Sequence, residues 1–260
     1  MDVKAWPWGS VYSRVTTWVF RAGPVVTLAS VICAGLFMAF GGAPAALPFT
    51  GDFVLFAYLL GMARFATVLA ALDTGSSFEG MGAAREVTFS ALAEPALFLC
   101  LVTLARATGS ASLTGMLGPA LPDAWARYAP ALLLAAIALF VVALAENSRI
   151  PVDDPNTHLE LTMIHEVMVL DHSGPDLALI LYGASLKLFL FGSLFVRLAL
   201  GFRAMEGPAG LAIFAAGLAG FAILVGVVES VMARLRLPRV PQLLVGASVL
   251  STFGLVLLLR

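Results

Sequence analysis

Charge is scarce in this 260-residue sequence: 15 Lys and Arg stand against 16 Asp and Glu, or 12% charged residues. Soluble globular domains carry about 25%, so an ordinary water-soluble domain is excluded. The formal net charge of −1 leaves no clustered basic excess for a phosphate-binding surface, which argues against nucleic acid as a partner. Cysteine is nearly absent as well. Cys33 and Cys100 lie in apolar runs without CxxC spacing and are read as packed, reduced thiols, not as a disulfide or metal ligands. The opening stretch MDVKAWPWGSVYSR has neither the apolar core nor the small-residue cleavage site of a signal peptide, which argues against secretion. No tandem repeat or low-complexity linker divides the chain, so residues 1–260 read as a single membrane domain.

Apolar sequence is what abounds, with 60% hydrophobic residues and a mean hydropathy of +0.97. A helix needs about 20 mainly apolar residues to cross a bilayer, because every backbone amide must be bonded internally there. Seven spans meet that measure, at 23–41, 51–72, 87–107, 129–145, 178–200, 208–233 and 241–259. Gly-Pro pairs at 23–24, 118–119, 174–175 and 207–208 fall at or near their ends. The expected fold class is therefore all-α: a polytopic membrane protein of about seven transmembrane helices plus a cytoplasmic amphipathic helix. Placing the N-terminus in the cytoplasm puts Lys4, Arg14, Arg21, Arg85, Arg149, Arg234, Arg236 and Arg239 inside, against Arg106, Arg127, Arg203 and Arg260 outside. That excess is the cytoplasmic signature and predicts a multi-pass protein of the cytoplasmic (inner) membrane.

An ionisable group near the centre of a span costs at least ~2.5 kcal/mol, so such residues face a bundle interior, a cavity or a partner. Four stand out: Arg64, Glu94, Lys187 and Glu229. Arg64 can snorkel, and Glu229 can pair with Arg234 or Arg236. Glu94 precedes Pro95, which removes a backbone donor beside a carboxylate with no local counter-charge, a setting that suits a proton carrier. Lys187 is its obvious opposite charge. Either the two belong to an ion path, or they form a buried pair that fixes helix register.

The remaining polarity is concentrated in Glu146–Asp176, ENSRIPVDDPNTHLELTMIHEVMVLDHSGPD, which reads as a cytoplasmic docking loop, 146–176. Asp153, Asp154, Pro155 and Asn156 signal a turn, and Thr157 with Glu160 forms a capping box for a helix over 158–170. On that helix Thr162, His165, Glu166 and Val169 share a side with His158, while Glu160 projects from the middle of the oily face toward the angle of Asp171. Glu160 is either the capping carboxylate or a carboxylate facing the bundle. His158, His165 and His172 recur every seven residues, which places neighbours about 10.5 Å apart, too far to share one metal ion. They read as a hydrated or partner-facing polar stripe able to exchange protons near neutrality.

The string Glu146-Asn-Ser-Arg149-Ile-Pro151-Val-Asp153 resembles the signature E-x-x-R-x-P-F-D of the membrane subunit shared by respiratory complex I and group 4 membrane-bound NiFe hydrogenases. Val152 stands in place of the Phe, and the acidic run that follows is thinned to Asp154, His158 and Glu160. Together with ALDTGSSFEGMGAAREVTFSALAEPALFL at 71–99, the block is more similar to the formate hydrogenlyase and hydrogenase-4 branch. The resemblance implies a bundle of about eight membrane helices whose cytoplasmic loops dock hydrogenase-like large and small subunits and iron–sulfur proteins, with antiporter-like membrane subunits alongside. It implies junction roles for Glu146, Arg149, Asp153 and Glu160, a loop arginine near a quinone cavity at Arg85, and a proton-path glutamate at Glu94. The family's first span and the Gln-Pro and Asp-Leu-x-Lys segment after it are not seen, which weakens quinone binding or calls for a helix from another chain.

The expected function is a membrane-anchoring and energy-coupling subunit of a hydrogenase or complex I-like oxidoreductase, with no catalytic centre and no cofactor of its own. The NiFe centre and iron–sulfur clusters are expected in partner subunits. Ion-path candidates are Glu94, Lys187, Glu229, Glu146, Glu160 and Asp171. Docking candidates are Arg85, Glu146, Arg149, Asp153, Asp154, His158, His165 and Glu166. A quinone-reactive subunit, a purely structural anchor and a stand-alone secondary transporter are the alternatives, the last requiring inverted repeats.

Overall fold

The computed structural model describes residues 4–5, 11–12, 17–41, 43–153, 163–200 and 208–259. A two-residue antiparallel pair, β1 (Lys4–Ala5) with β2 (Val11–Tyr12), precedes the helices. Among the described residues, seven helices are long and apolar enough to cross a membrane.

The first, α1 (Trp18–Gly35), starts at Thr17, whose hydroxyl oxygen accepts from the Val19 amide at 3.2 Å. The Thr17 amide donates to Asp73 at 2.6 Å, which ties this end to the close of α2 (Asp52–Asp73). Gly23-Pro24 does not begin the helix as expected. It lies within α1, where a Cβ on Gly23 would stand 2.8 Å from Cβ of Ala70. Residues 36–41, expected in the span, instead turn back through bonds such as Phe37 N to Ala34 O at 3.2 Å. At that end Asp52 is buried and accepts from the Leu113 amide at 2.6 Å and the Ser112 hydroxyl at 2.8 Å. These bonds pin the start of α2 to the short α4 (Leu113–Met116).

The longest helix is α3 (Ser77–Thr108), at 32 residues. At 1.5 Å per residue it measures about 48 Å, well beyond the ~30 Å hydrocarbon core, so its first turns extend past the expected start at 87. In α5 (Leu121–Glu146) Tyr128 leaves helical geometry, with φ −128° and ψ 31°, two residues before Pro130. A proline inside a helix lacks the N–H and crowds the preceding turn, which accounts for this kink. The chain continues through α6 (Gly174–Leu200), α7 (Pro208–Val231) and α8 (Val240–Leu259).

Helices α1 and α2 pack as a pair, α3, α5 and α8 form a second group, and α6 bridges α1, α5 and α7. Phe56, Leu60, Leu101, Leu132, Leu139 and Phe191 fill the core between them. Where α3, α5 and α8 meet, the Ser251 hydroxyl donates to Ala96 O at 3.3 Å and buried Cys100 Sγ to Ala135 O at 3.4 Å. Cys33, expected to be packed, is exposed.

The amphipathic helix predicted over 158–170 does not form in its described part. Residues 163–165 are irregular and Glu166–Val169 make a single 3-10 turn. The cause is local: Asp153 Oδ2 accepts from the amides of both Ile164 and His165 at 3.1 Å. Those amides are thereby taken by a side chain, which competes with the helix ladder. The turn also presses so closely on α3 that a Cβ on Gly82 would stand 2.3 Å from Val167 Cγ1. Asp154, His158 and Glu160 lie outside the described residues.

Candidate functional site

Four helices bring their few charges to one place. Arg64, on α2, does not snorkel. Its side chain is 8% exposed, Nη1 donates to Glu146 Oε1 at 2.7 Å, and Nη2 reaches Glu94 Oε1 at 3.2 Å. Lys187, on α6, lies 2.8 Å from Glu146 Oε2 and donates to the Glu146 carbonyl at 2.6 Å. The result is a line across the bundle: Lys187, Glu146, Arg64, Glu94. Glu146 is its most enclosed member, with a side chain only 2% exposed. Two cations on one carboxylate offset the loss of water, which an isolated buried charge could not survive.

This arrangement corrects two expectations. Glu94 is neither unpaired nor fully buried, because Arg64 neutralises it and 47% of its side chain is exposed on the outer face of the bundle. Lys187 is not its partner. Sequence reading also missed Glu86, which is buried on α3 and faces Arg64 and His165. Counting it, two cations meet three carboxylates, a formal charge of 2 − 3 = −1.

A cavity of about 60 Å³ adjoins the line, walled by Thr27, Thr67, Arg64, Glu86, Glu146, His165 and Lys187 among others. At ~15 Å³ per water it has room for about four. A smaller chamber of about 10 Å³ lies between Arg64, Glu86, Ser90, Glu146, Val152 and Asp153. An open groove of about 240 Å³ runs between α2 and α3, over Gly61, Arg64, Ser90 and Glu94. Gly61 borders that groove beside the carboxylate, where an added Cβ would make ordinary contact with Glu94 Oε1 at 3.6 Å.

The polar loop is rooted in the same line, because Glu146 ends α5 and begins the motif. Ser148 follows with φ +50°, a left-handed conformation that non-glycine residues seldom adopt. Arg149 pairs with Glu229 at 3.4 Å, so Glu229 does not take the Arg234 or Arg236 partner expected for it. Arg234 instead holds Asp153 Oδ1 at 2.9 Å, and the Leu235 amide donates to Pro151 O at 2.9 Å. The α7–α8 connection thus clamps the motif from the side opposite Glu146. Arg85 Nη1 donates to Met163 O at 2.9 Å, which fixes the far end of the loop to α3.

The two described histidines, His165 and His172, are not on an exposed stripe. His172 is 4% exposed and stacks on Phe20 with ring centroids 3.9 Å apart. His165 is half-buried against the cavity, close to Glu86, Asp153 and Glu166. Burial pushes both rings below the usual 6.5, against the pull of nearby carboxylates. The expected inward projection of Asp171 is also not observed. Asp171 is exposed, and its amide donates to buried Glu79 at 3.1 Å. Glu166 is half-buried in the 3-10 turn. At the other end of the molecule Arg197, absent from the sequence reading, donates Nη2 to Leu117 O at 2.8 Å and Nη1 to Gly41 O. No group of three or more His, Cys, Asp or Glu is placed to hold a metal ion among the described residues.

Fold and site together define a polytopic helical membrane protein in which a conspicuous polar loop is wired by ion pairs into the middle of the bundle. Residues 10–259 match the NADH dehydrogenase family, and the chain belongs to it. Two Escherichia coli (strain K12) proteins are similar in sequence. Hydrogenase-4 component C is 37% identical over 191 residues, covering 72% of this chain and 58% of that protein. Formate hydrogenlyase subunit 4 is 31% identical over 242 residues, covering 90% of this chain and 77% of that protein. The match to hydrogenase-4 component C thus spans less than two thirds of that relative. Among solved structures, the fold resembles a chain of the membrane-bound sulfane sulfur reductase, an archaeal respiratory membrane complex. That match has a TM-score of 0.74 at 18% identity and covers 93% of this chain and 80% of the other.

Proposed function

We propose that this chain is the membrane-anchoring and energy-coupling subunit of a multi-subunit, membrane-bound hydrogenase or complex I-like oxidoreductase. The observation that carries the reading is the double membership of Glu146: it is the first residue of the polar loop motif and the most enclosed member of the buried ion-pair line. The family membership and the names of the two E. coli relatives support the setting. In this reading the loop faces the cytoplasm, the N-terminus is cytoplasmic, and the protein sits in the inner membrane. Hydrogenase-like large and small subunits and iron–sulfur proteins dock on the loop, and the NiFe centre and clusters belong to them. Antiporter-like subunits flank the bundle.

Coupling follows from Arg64 being shared. A displacement of the loop pulls on Glu146 through its own main chain, while Arg149 is held by the last turn of α7 and Asp153 by the α7–α8 connection. Arg64 then bonds less to Glu146 and more to Glu94, or the reverse. A carboxylate that loses its cation binds a proton more readily, and one that gains it releases the proton. Redox events in the docked arm would in this way set whether Glu94 holds a proton. The direct test is purification in mild detergent with mass spectrometry of the accompanying subunits. An iron–sulfur protein and a nickel protein should co-purify, and R149E or D153K should release them; recovery of the chain without either protein would overturn the reading.

A further inference from the structure

Glu86, Ser90 and Glu94 recur every four residues along α3. Four residues turn a helix by about 400°, so the three lie along one slightly drifting stripe, with about 6 Å of rise between neighbours. The three spaces around Arg64 are ordered along that stripe. Glu86 borders both the 60 Å³ cavity and the 10 Å³ chamber. Ser90 borders both the chamber and the lateral groove, and Glu94 lies in the groove. The Glu86 carboxylate is buried, and among the described contacts no hydrogen bond to it is made. The Ser90 hydroxyl donates to the Glu86 main-chain oxygen at 2.6 Å. The chamber is the size of one water and is walled by six polar residues, Arg64, Glu86, Ser90, Glu146, Ser148 and Asp153. A space of that size bordered by polar groups has room for one water.

We propose that Glu86, one water in the chamber and Ser90 form a proton relay from the loop-side cavity to Glu94. An excess proton arriving on a cavity water is taken up by the Glu86 carboxylate, and the resulting carboxylic acid turns and gives that proton to the chamber water. That water hands one of its own protons to Ser90 Oγ, whose hydroxyl turns away from the Glu86 main-chain oxygen and releases its proton through a water in the groove to the Glu94 carboxylate. Each intermediate oxygen finishes with the protons it began with, and one proton has moved from the cavity to Glu94. No bond other than O–H bonds forms or breaks. Arg64, facing all three groups, keeps the stripe from accumulating negative charge.

The relay rests on the energy-coupling reading, and the test separates the two. The intact complex is reconstituted in liposomes and turned over with its own electron donor, while ion uptake is followed with a pH-sensitive dye and radioactive sodium. Subunit composition is checked for each variant. E86Q and S90A should lower proton uptake per electron by at least about tenfold, whereas S90T, which keeps the hydroxyl, should stay within about twofold of the parent. Equal behaviour of S90A and S90T, whether both normal or both impaired, overturns the relay, the second outcome marking Ser90 as a packing residue. E94Q serves as the control. If E94Q abolishes uptake while E86Q and S90A do not, only the relay fails; if E94Q also pumps normally, the coupling reading itself fails.

Discussion

Replacing Arg64 with glutamine gives the sharpest view of how the site is held together. The guanidinium is 8% exposed and lies 2.7 Å from a Glu146 carboxylate that is 2% exposed. Removing one partner of a buried pair costs about 3–5 kcal/mol when the other charge is left uncompensated; Lys187 still neutralises Glu146, so the lower bound of about 3 kcal/mol applies. The second contact, to half-exposed Glu94, adds little and is left out. At ~1.4 kcal/mol per decade, R64Q should shift the folding equilibrium of the purified chain by roughly two decades. The cluster charge would fall from −1 to −2. Replacing Glu146 with glutamine in the same chain restores −1 and removes the carboxylate that lost one of its two cations, at the expense of the Lys187 ion pair but not of the Lys187 bond to the carbonyl at position 146. The double variant R64Q/E146Q should therefore be more stable than the sum of the single losses predicts, by about 1–3 kcal/mol. Reversible unfolding in mild detergent micelles titrated with dodecyl sulfate measures all three. Single losses that add within ~0.5 kcal/mol would show that the two residues act independently and would refute the ion-pair line.

Three further outcomes follow from the loop. Burial holds His172 below the usual 6.5, so the folded ring stays neutral where the unfolded ring takes up a proton. Stability is then fully present above about pH 6.5 and falls as pH drops toward the folded value, with half-buried His165 adding in the same direction. H172F keeps the stack on Phe20 and should flatten this slope, as read from unfolding midpoints at about pH 5.5 and 7.5. D153N weakens the Arg234 contact and the bonds to two backbone amides, at a cost of about 1.5–3 kcal/mol. It should make the loop cleavable by protease at concentrations that leave the parent intact. G82A drives a methyl group into Val167 and toward Ile164 O at 3.0 Å. It should cost about 1–3 kcal/mol, detectable as a lower thermal midpoint, while G80A, with open space around it, should not.

The spans were legible because each presents about 20 apolar residues, and every one of the seven was found. Their ends were less so. Residues 77–86 of α3 precede the apolar stretch expected to span, carrying Glu79, Arg85 and Glu86, and polar helical sequence leaves no hydropathy signal. Glu86 was overlooked for that reason, one residue before the expected start of its span. Glu94, Lys187, Arg64 and Glu229 were each recognisable as misplaced charges, yet every pairing read from sequence was wrong. Lys187 meets Glu146 and Glu229 meets Arg149 across 41 and 80 residues of chain; neither separation follows from local periodicity. The helix expected after Thr157 illustrates the converse case. Its 3.6-residue pattern is present in the sequence, but the described part is overridden by one carboxylate, Asp153, that captures two of the amides the helix needs. His172 looked like a member of a wet stripe by spacing alone, and the aromatic ring of Phe20 that buries it lies on another helix.

The central claim is that electron transfer in a docked arm moves an ion through this chain, and the number of ions taken up per electron tests it most directly. With intact complexes in sealed liposomes, the parent should show a fixed, non-zero ratio that collapses in E94Q while electron turnover and subunit composition persist. A ratio that is zero in the parent, or unchanged in E94Q, would contradict the account and leave the chain an anchor alone.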